Sequence, residues 1–206
     1  MLKALIVVDV QNDFCEGGAL AVKDAHEIIP IVNKVIDFFN KNQYFVVATK
    51  DWHPANHKSF AKNSNGTIGE IGILNNLPQV WWPEHCVENT YGSNFHPNLK
   101  EIKHIIYKGT NFEIDSYSGF FDNGKLKSTE LLSLLENNQI SEIFVLGLAT
   151  DYCVKHTVLD ALDLGFKVNV IEDGCKGVNL SFNDSNNALK EMKEKGAKII
   201  KSDDLN

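Results

Sequence analysis

Six short, nearly unbroken apolar runs punctuate this chain, at Leu2 to Val10, Tyr44 to Thr49, Ile105 to Tyr107, Ile143 to Leu148, Val168 to Ile171 and Ile199 to Ile200. A strand without polar alternation must be covered on both faces, which is the situation inside a parallel sheet. Parallel neighbours need crossover connections, and amphipathic segments suited to that task lie at Ile31 to Phe39, Thr129 to Leu135, Thr157 to Leu164 and Ala188 to Met192. Gly165 and Gly196 follow two of these segments just before new strands, where helix-ending glycines belong. The βαβα alternation predicts an α/β fold: a doubly wound, mostly parallel six-stranded sheet with helices on both faces. The whole chain, 1–206, fits one such domain. Only the stretch from about 54 to 104 breaks the rhythm, an insertion rich in Asn, Gly and Pro that carries Trp81 and Trp82. A connection that long serves a function or hides short elements.

Composition narrows the partners. The formal charge is -7 and all 20 basic residues are lysine, which disfavours nucleic acid and removes the guanidinium fork that grips anionic ligands. The first apolar run meets Asp9 too soon for a signal peptide, and no stretch approaches a membrane span, so a cytoplasmic location without membrane contact is expected. Cys15, Cys86, Cys153 and Cys175 include no C-x-x-C pair and are expected to be free thiols.

In open α/β sheets ligands bind where strands end, so the residues just after each run are the ones to weigh. Asp9 ends the first run, Asp51 and His53 follow the second, Lys108 follows the third, and Cys153 follows the fourth at the start of a helical segment. A helix start favours a thiolate and a developing oxyanion. A cysteine attacking an acyl group also needs a proton carrier, for which Asp9 is placed, and Lys108 can hold the resulting negative charge. Each of these residues has a bland alternative: a packed cysteine, a turn-capping aspartate, a solvated lysine. Asp51-Trp52-His53 sets a carboxylate and an imidazole on one side of an extended backbone, and with His57 or His85 such a pair suits Zn, Fe or Mn.

Seven segments then occur in a characteristic order: Val7-Val-Asp-Val-Gln-Asn-Asp-Phe14, Asp51-Trp-His-Pro-Ala-Asn-His-Lys-Ser-Phe60, Trp82-Pro-Glu-His-Cys-Val87, Lys108-Gly109, Asp115-Ser-Tyr-Ser-Gly-Phe120, Gly147-Leu-Ala-Thr-Asp-Tyr-Cys-Val154 and Asp173-Gly-Cys-Lys-Gly177. Together they resemble the nicotinamidases among the isochorismatase-like cysteine hydrolases, over nearly the whole chain. The resemblance implies a catalytic triad of Asp9, Lys108 and Cys153. It implies one divalent metal ion, zinc first with iron or manganese as alternatives, on Asp51, His53 and His85, with His57 and Ser59 nearby. It also implies Phe14, Trp82 and Tyr117 as pocket walls, and a cis peptide at Leu148-Ala149 that turns the N–H groups of Ala149 and Cys153 toward an oxyanion. The implied reaction is hydrolysis of nicotinamide, or of pyrazinamide, to the acid and ammonia in NAD salvage. Relatives occur as monomers and in larger assemblies, so self-association stays open. Two rival readings are another amidase of the superfamily and a non-catalytic ligand-binding module; the full triad disfavours the latter.

Overall fold

The computed structural model describes residues 2–205. Its centre is a six-stranded sheet made of β1 (Leu2–Val8), β2 (Phe45–Asp51), β5 (His104–Lys108), β6 (Ile140–Leu148), β7 (Lys167–Lys176) and β8 (Lys198–Ile200). Their order across the sheet is β5-β2-β1-β6-β7-β8, and all five pairings are parallel. The six apolar runs supply these six strands, and Ala4 to Val8 are fully buried. The antiparallel element allowed for by a mostly parallel sheet is instead a separate hairpin of β3 (Ile71–Leu74) and β4 (Leu77–Val80).

Helix α1 (Ile28–Lys41) connects β1 to β2 in one direction across the sheet; α4 (Lys155–Asp163) connects β6 to β7 in the other, as α5 (Asp184–Glu194) connects β7 to β8. Right-handed crossovers in opposite directions put helices on opposite faces. The largest side chains that seal the sheet include Phe39 of α1 and Leu131 and Leu135 of α3 (Leu131–Asn137). Gly165 and Gly196 adopt φ of 88° and 114° after their helices, as the sequence predicts. No described helix is long and apolar enough to cross a membrane.

The irregular insertion does hide short elements: α2 (Ala61–Ser64) and the β3–β4 hairpin, whose turn residues Asn75 and Asn76 have φ of 51° and 62°. Two successive left-handed residues match the twist of a tight hairpin, and Asn tolerates that conformation. The signal is in the sequence, but Asn is so frequent here that it does not single out this pair.

The chain leaves β1 by one side of the sheet and enters β6 from the other, so the crevice at the carboxyl ends of β1 and β6 is the topological switch point. Asp9 opens on this crevice with a left-handed φ of 47°. Across it, Gly147 pairs with Val8 at φ 125°, and a Cβ there would collide with the Val8 backbone. Gly147→Ala should therefore cost at least about 1–3 kcal/mol from backbone strain alone. Thermal unfolding should show a Tm loss of roughly 2–4 °C per kcal/mol, with an unchanged Tm refuting the constraint.

Candidate active site

The site forms where four connections meet at the switch point. Asp9 comes from the end of β1, Asp51 and His53 from the end of β2, Lys108 from the end of β5, and Cys153 from a π-helical turn (Thr150–Val154) that runs into α4. Asp9, Lys108 and Cys153 are buried. Lys108 Nζ lies 3.3 Å from Cys153 Sγ and 2.9 Å from Asp9 Oδ2. It donates to Cys153 Sγ, to the Ser116 carbonyl at 3.0 Å and to Asp51 Oδ1. Asp9 Oδ2 is thus a fourth acceptor around an ammonium that has three protons, and the two groups form a buried ion pair. The other Asp9 oxygen is taken, because Thr49 Oγ1 donates to Asp9 Oδ1 at 2.6 Å. Asp9 Oδ2 and Cys153 Sγ both lie against the same ammonium.

Burial pushes the Asp9 carboxyl up against the pull of Lys108. Burial, opposed by Lys108, likewise holds the Cys153 thiol well above its ordinary value, so the resting group is S–H. Asp51 differs: burial would raise it, but Lys108 and then His53 outweigh burial and hold it well below the usual range.

Asp51, His53 and His85 bring ligand atoms within 4.8 Å of one another. His53 Nε2 and His85 Nε2 lie 3.6 and 3.7 Å from Asp51 Oδ2. Their other ring nitrogens face carbonyls, His53 Nδ1 that of Gly109 at 2.9 Å and His85 Nδ1 that of Pro83 at 2.8 Å. A carbonyl only accepts, so each Nδ1 carries the proton and each Nε2 turns a lone pair inward, the usual arrangement behind metal-binding histidines. His53 Nε2 is buried and has no hydrogen-bond partner. This donor set fits a divalent cation. Asp51 is held in place from behind, since Gln11 Oε1 accepts from its N–H and Gln11 Nε2 donates to its carbonyl, both at 2.8 Å.

The His57 ring lies 4.5 Å from that of His53 between centroids, tilted by 54°, but it groups with His53 and Asp115 rather than with Asp51 and His85. Burial lowers His57 to about 4, and the hydroxyl of Ser59 lies 2.7 Å from its Nδ1. Phe14, Trp82 and Tyr117 line one narrow cavity together with Asp51, His85, Ala149 and Cys153. Leu20, Asp115, Tyr152 and Val178 complete it. The peptide bond between Leu148 and Ala149 is cis. A wider groove runs along β5, yet none of the potential metal-ligand groups among the described residues lies in it.

Sequence reasoning assigned no part to Gln11, Thr49, Asp115 or Tyr152. Gln11, Asp115 and Tyr152 stand inside the recognised motifs, but nothing in their spacing says which group each one faces.

An isochorismatase-domain model matches residues 3–204 of this chain. The chain belongs to the isochorismatase family. Within that family it is 50% identical to the nicotinamidase of Escherichia coli over 199 residues, covering 96% of this chain and 93% of that protein. A nicotinamidase/pyrazinamidase structure from Acinetobacter baumanii superposes with a TM-score of 0.93 at 43% identity, covering 99% and 98% of the two chains. A Pyrococcus horikoshii pyrazinamidase solved in complex with zinc gives a TM-score of 0.82 at 40% identity, covering 98% and 99%.

Lys108 neutralises two buried carboxylates, so Lys108→Met should destabilise the metal-free protein by about 3–5 kcal/mol. Adding Asp9→Asn should recover part of the loss, because fewer uncompensated charges remain buried. Denaturant titration of the single and double variants measures both effects; a double variant no more stable than Lys108→Met would contradict this charge balance.

Proposed function

We propose that this protein is a metal-dependent nicotinamidase that hydrolyses nicotinamide to nicotinate and ammonia through a cysteine thioester, in NAD salvage. The observation that carries the reading is the buried cluster in which Lys108 Nζ lies 3.3 Å from Cys153 Sγ and 2.9 Å from Asp9 Oδ2, with Cys153 lining an aromatic pocket. The likeness to nicotinamidases supports the substrate. The lack of arginine fits a ligand that enters neutral.

In the mechanism, Asp9 Oδ2 takes the proton of Cys153 as Sγ attacks the carboxamide carbon. The negative charge moves to the carboxamide oxygen, and the backbone N–H groups of Ala149 and Cys153 receive it. Lys108 keeps Sγ and the Asp9 carboxyl in register and stabilises the negative charge passing between them. Asp9 then gives its proton to the nitrogen, the C–N bond breaks and ammonia leaves a thioester on Cys153. A water molecule loses a proton to Asp9 and adds to the thioester carbon; the C–S bond breaks and Asp9 returns the proton to Sγ. Phe14, Trp82 and Tyr117 hold the flat ring over the thiol and exclude bulk water.

Asp51, His53 and His85 would hold a divalent ion, zinc being the best match to two imidazoles and a carboxylate. When bound, it supplies a Lewis-acidic seat for a ring nitrogen. We place the protein in the cytoplasm, acting on a small-molecule substrate without nucleic acid or membrane, with self-association left open.

Ammonia release from nicotinamide, with and without a chelator, is the deciding assay. Cys153→Ala should abolish release while the protein stays folded and keeps its metal, whereas His53→Ala and His85→Ala should lower metal content by elemental analysis and raise KM. Retained turnover in Cys153→Ala would remove the mechanism. Pyrazinamide should be hydrolysed, and benzamide, which has the same shape without the ring nitrogen, should be poor by a factor of roughly 10² or more, as expected when a polar contact built into a site is lost. Benzamide turned over as fast as nicotinamide would leave only a general amidase.

A further inference from the structure

One buried carboxylate beside the nucleophile is used neither by the triad nor by the metal set. Asp151 lies two residues before Cys153 in the same π-helical turn and is only 5% exposed. An acid in a first turn can satisfy itself on its own helix, but this one reaches away. Its Oδ1 accepts from the Val178 N–H at 2.9 Å and its Oδ2 from the Asn179 N–H at 2.7 Å, across 27 and 28 residues of chain. Charged acceptors on two adjacent N–H groups make a rigid, directional clamp.

The clamped segment is the loop between β7 and α5. Gly147 and Leu148 pair with Cys175 and Lys176 after an irregularity in the β6–β7 register, which delivers the loop beside the turn that carries Cys153. At Gly177 any Cβ would collide with Ser185 Oγ and approach the Asp151 carboxylate, so the approach there leaves no room for a side chain. Asn179, at φ 52°, braces the loop internally by donating to the Gly177 carbonyl and accepting from the Ser185 N–H. Beyond it, Leu180 and Phe182 are 49% and 94% exposed, so the outer loop gains little from packing. Among the described residues, the hydrogen bonds between this loop and the Thr150–Val154 turn both end on Asp151. Val178, the residue it fixes, lines the same cavity as Phe14, Trp82, Tyr117 and Cys153.

We propose that Asp151 is a positioning residue for the substrate ring: it pins the loop after β7 so that Val178 forms a fixed apolar wall of the pocket. The inference rests on the reading of that cavity as the seat of a pyridine ring. Its consequence is specific. Losing the clamp releases the wall and weakens ring binding, while Asp9, Lys108 and Cys153 keep their contacts.

Steady-state ammonia release from nicotinamide by the metal-loaded enzyme tests this, using Asp151→Ala, Asp151→Asn, Val178→Ala and the Asp151→Ala/Val178→Ala pair. Amide hydrogen exchange at Val178 and Asn179 is measured alongside. Asp151→Ala should raise KM about tenfold with kcat changed by less than about threefold, the signature of lost ground-state positioning. Asp151→Asn, which keeps one acceptor oxygen, should fall between it and the parent and carries the test if the alanine variant does not fold. The paired variant should be no worse in KM than its worse single parent, because both changes remove the same wall. Exchange at both amides should speed up in each Asp151 variant. A fall in kcat at constant KM, additive effects in the pair, or unchanged exchange would overturn the proposal. Failure of the functional reading looks different: the parent enzyme would release no ammonia, while the exchange comparison would still report on the clamp.

Discussion

The ammonium of Lys108, buried between the carboxylates of Asp9 and Asp51 and 3.3 Å from Cys153 Sγ, is the contact around which the site is arranged. Two buried carboxylates and a buried thiol cannot share so small a volume unless a cation offsets them. The ammonium has three protons and four acceptors around it, on Asp9, Asp51, Ser116 and Cys153, so it ties strands β1, β2 and β5 and the turn after β6 to one point. A single lysine thereby makes the cluster tolerable.

The same contact joins two groups of residues that perform different tasks. Asp51 takes a Lys108 proton on Oδ1 and turns Oδ2 toward His53 and His85, so one carboxylate belongs both to the nucleophile's surroundings and to the cation-fitting set. Gln11 fixes the backbone of Asp51, and Gly109 and Pro83 fix the outer nitrogens of the two histidines. This shared aspartate fixes the cation-fitting set relative to Lys108 and, through it, to Cys153.

Much of the fold is legible in the chain because buried parallel strands must be apolar throughout and their crossovers amphipathic. The six runs therefore stand out, and residues just past them fall at the carboxyl ends of strands without any knowledge of strand order. The hairpin at Ile71–Val80 escaped notice because Ile71 and Ile73 are exposed, so its pattern does not read as a buried face. Asp115 and Asp151 also lie beyond the reach of spacing arguments: Asp115 Oδ2 accepts from Gln79 and Asp151 from Val178 and Asn179, all across long stretches of chain.

By itself, the sequence determined the layer architecture, the strand-end positions of Asp9, Asp51, Lys108 and Cys153, and an all-lysine cation set that leaves no guanidinium for an anionic ligand. These follow from periodicity and composition, which are local properties. Only the tertiary structure decided that Lys108 sits between Asp9, Asp51 and Cys153, that Asp51 serves two groups at once, and that Asp151 reaches forward to hold Val178. Hydrogen-bond direction and the sharing of one carboxylate depend on where distant segments come to rest, and those positions are set by packing across the switch point between β1 and β6.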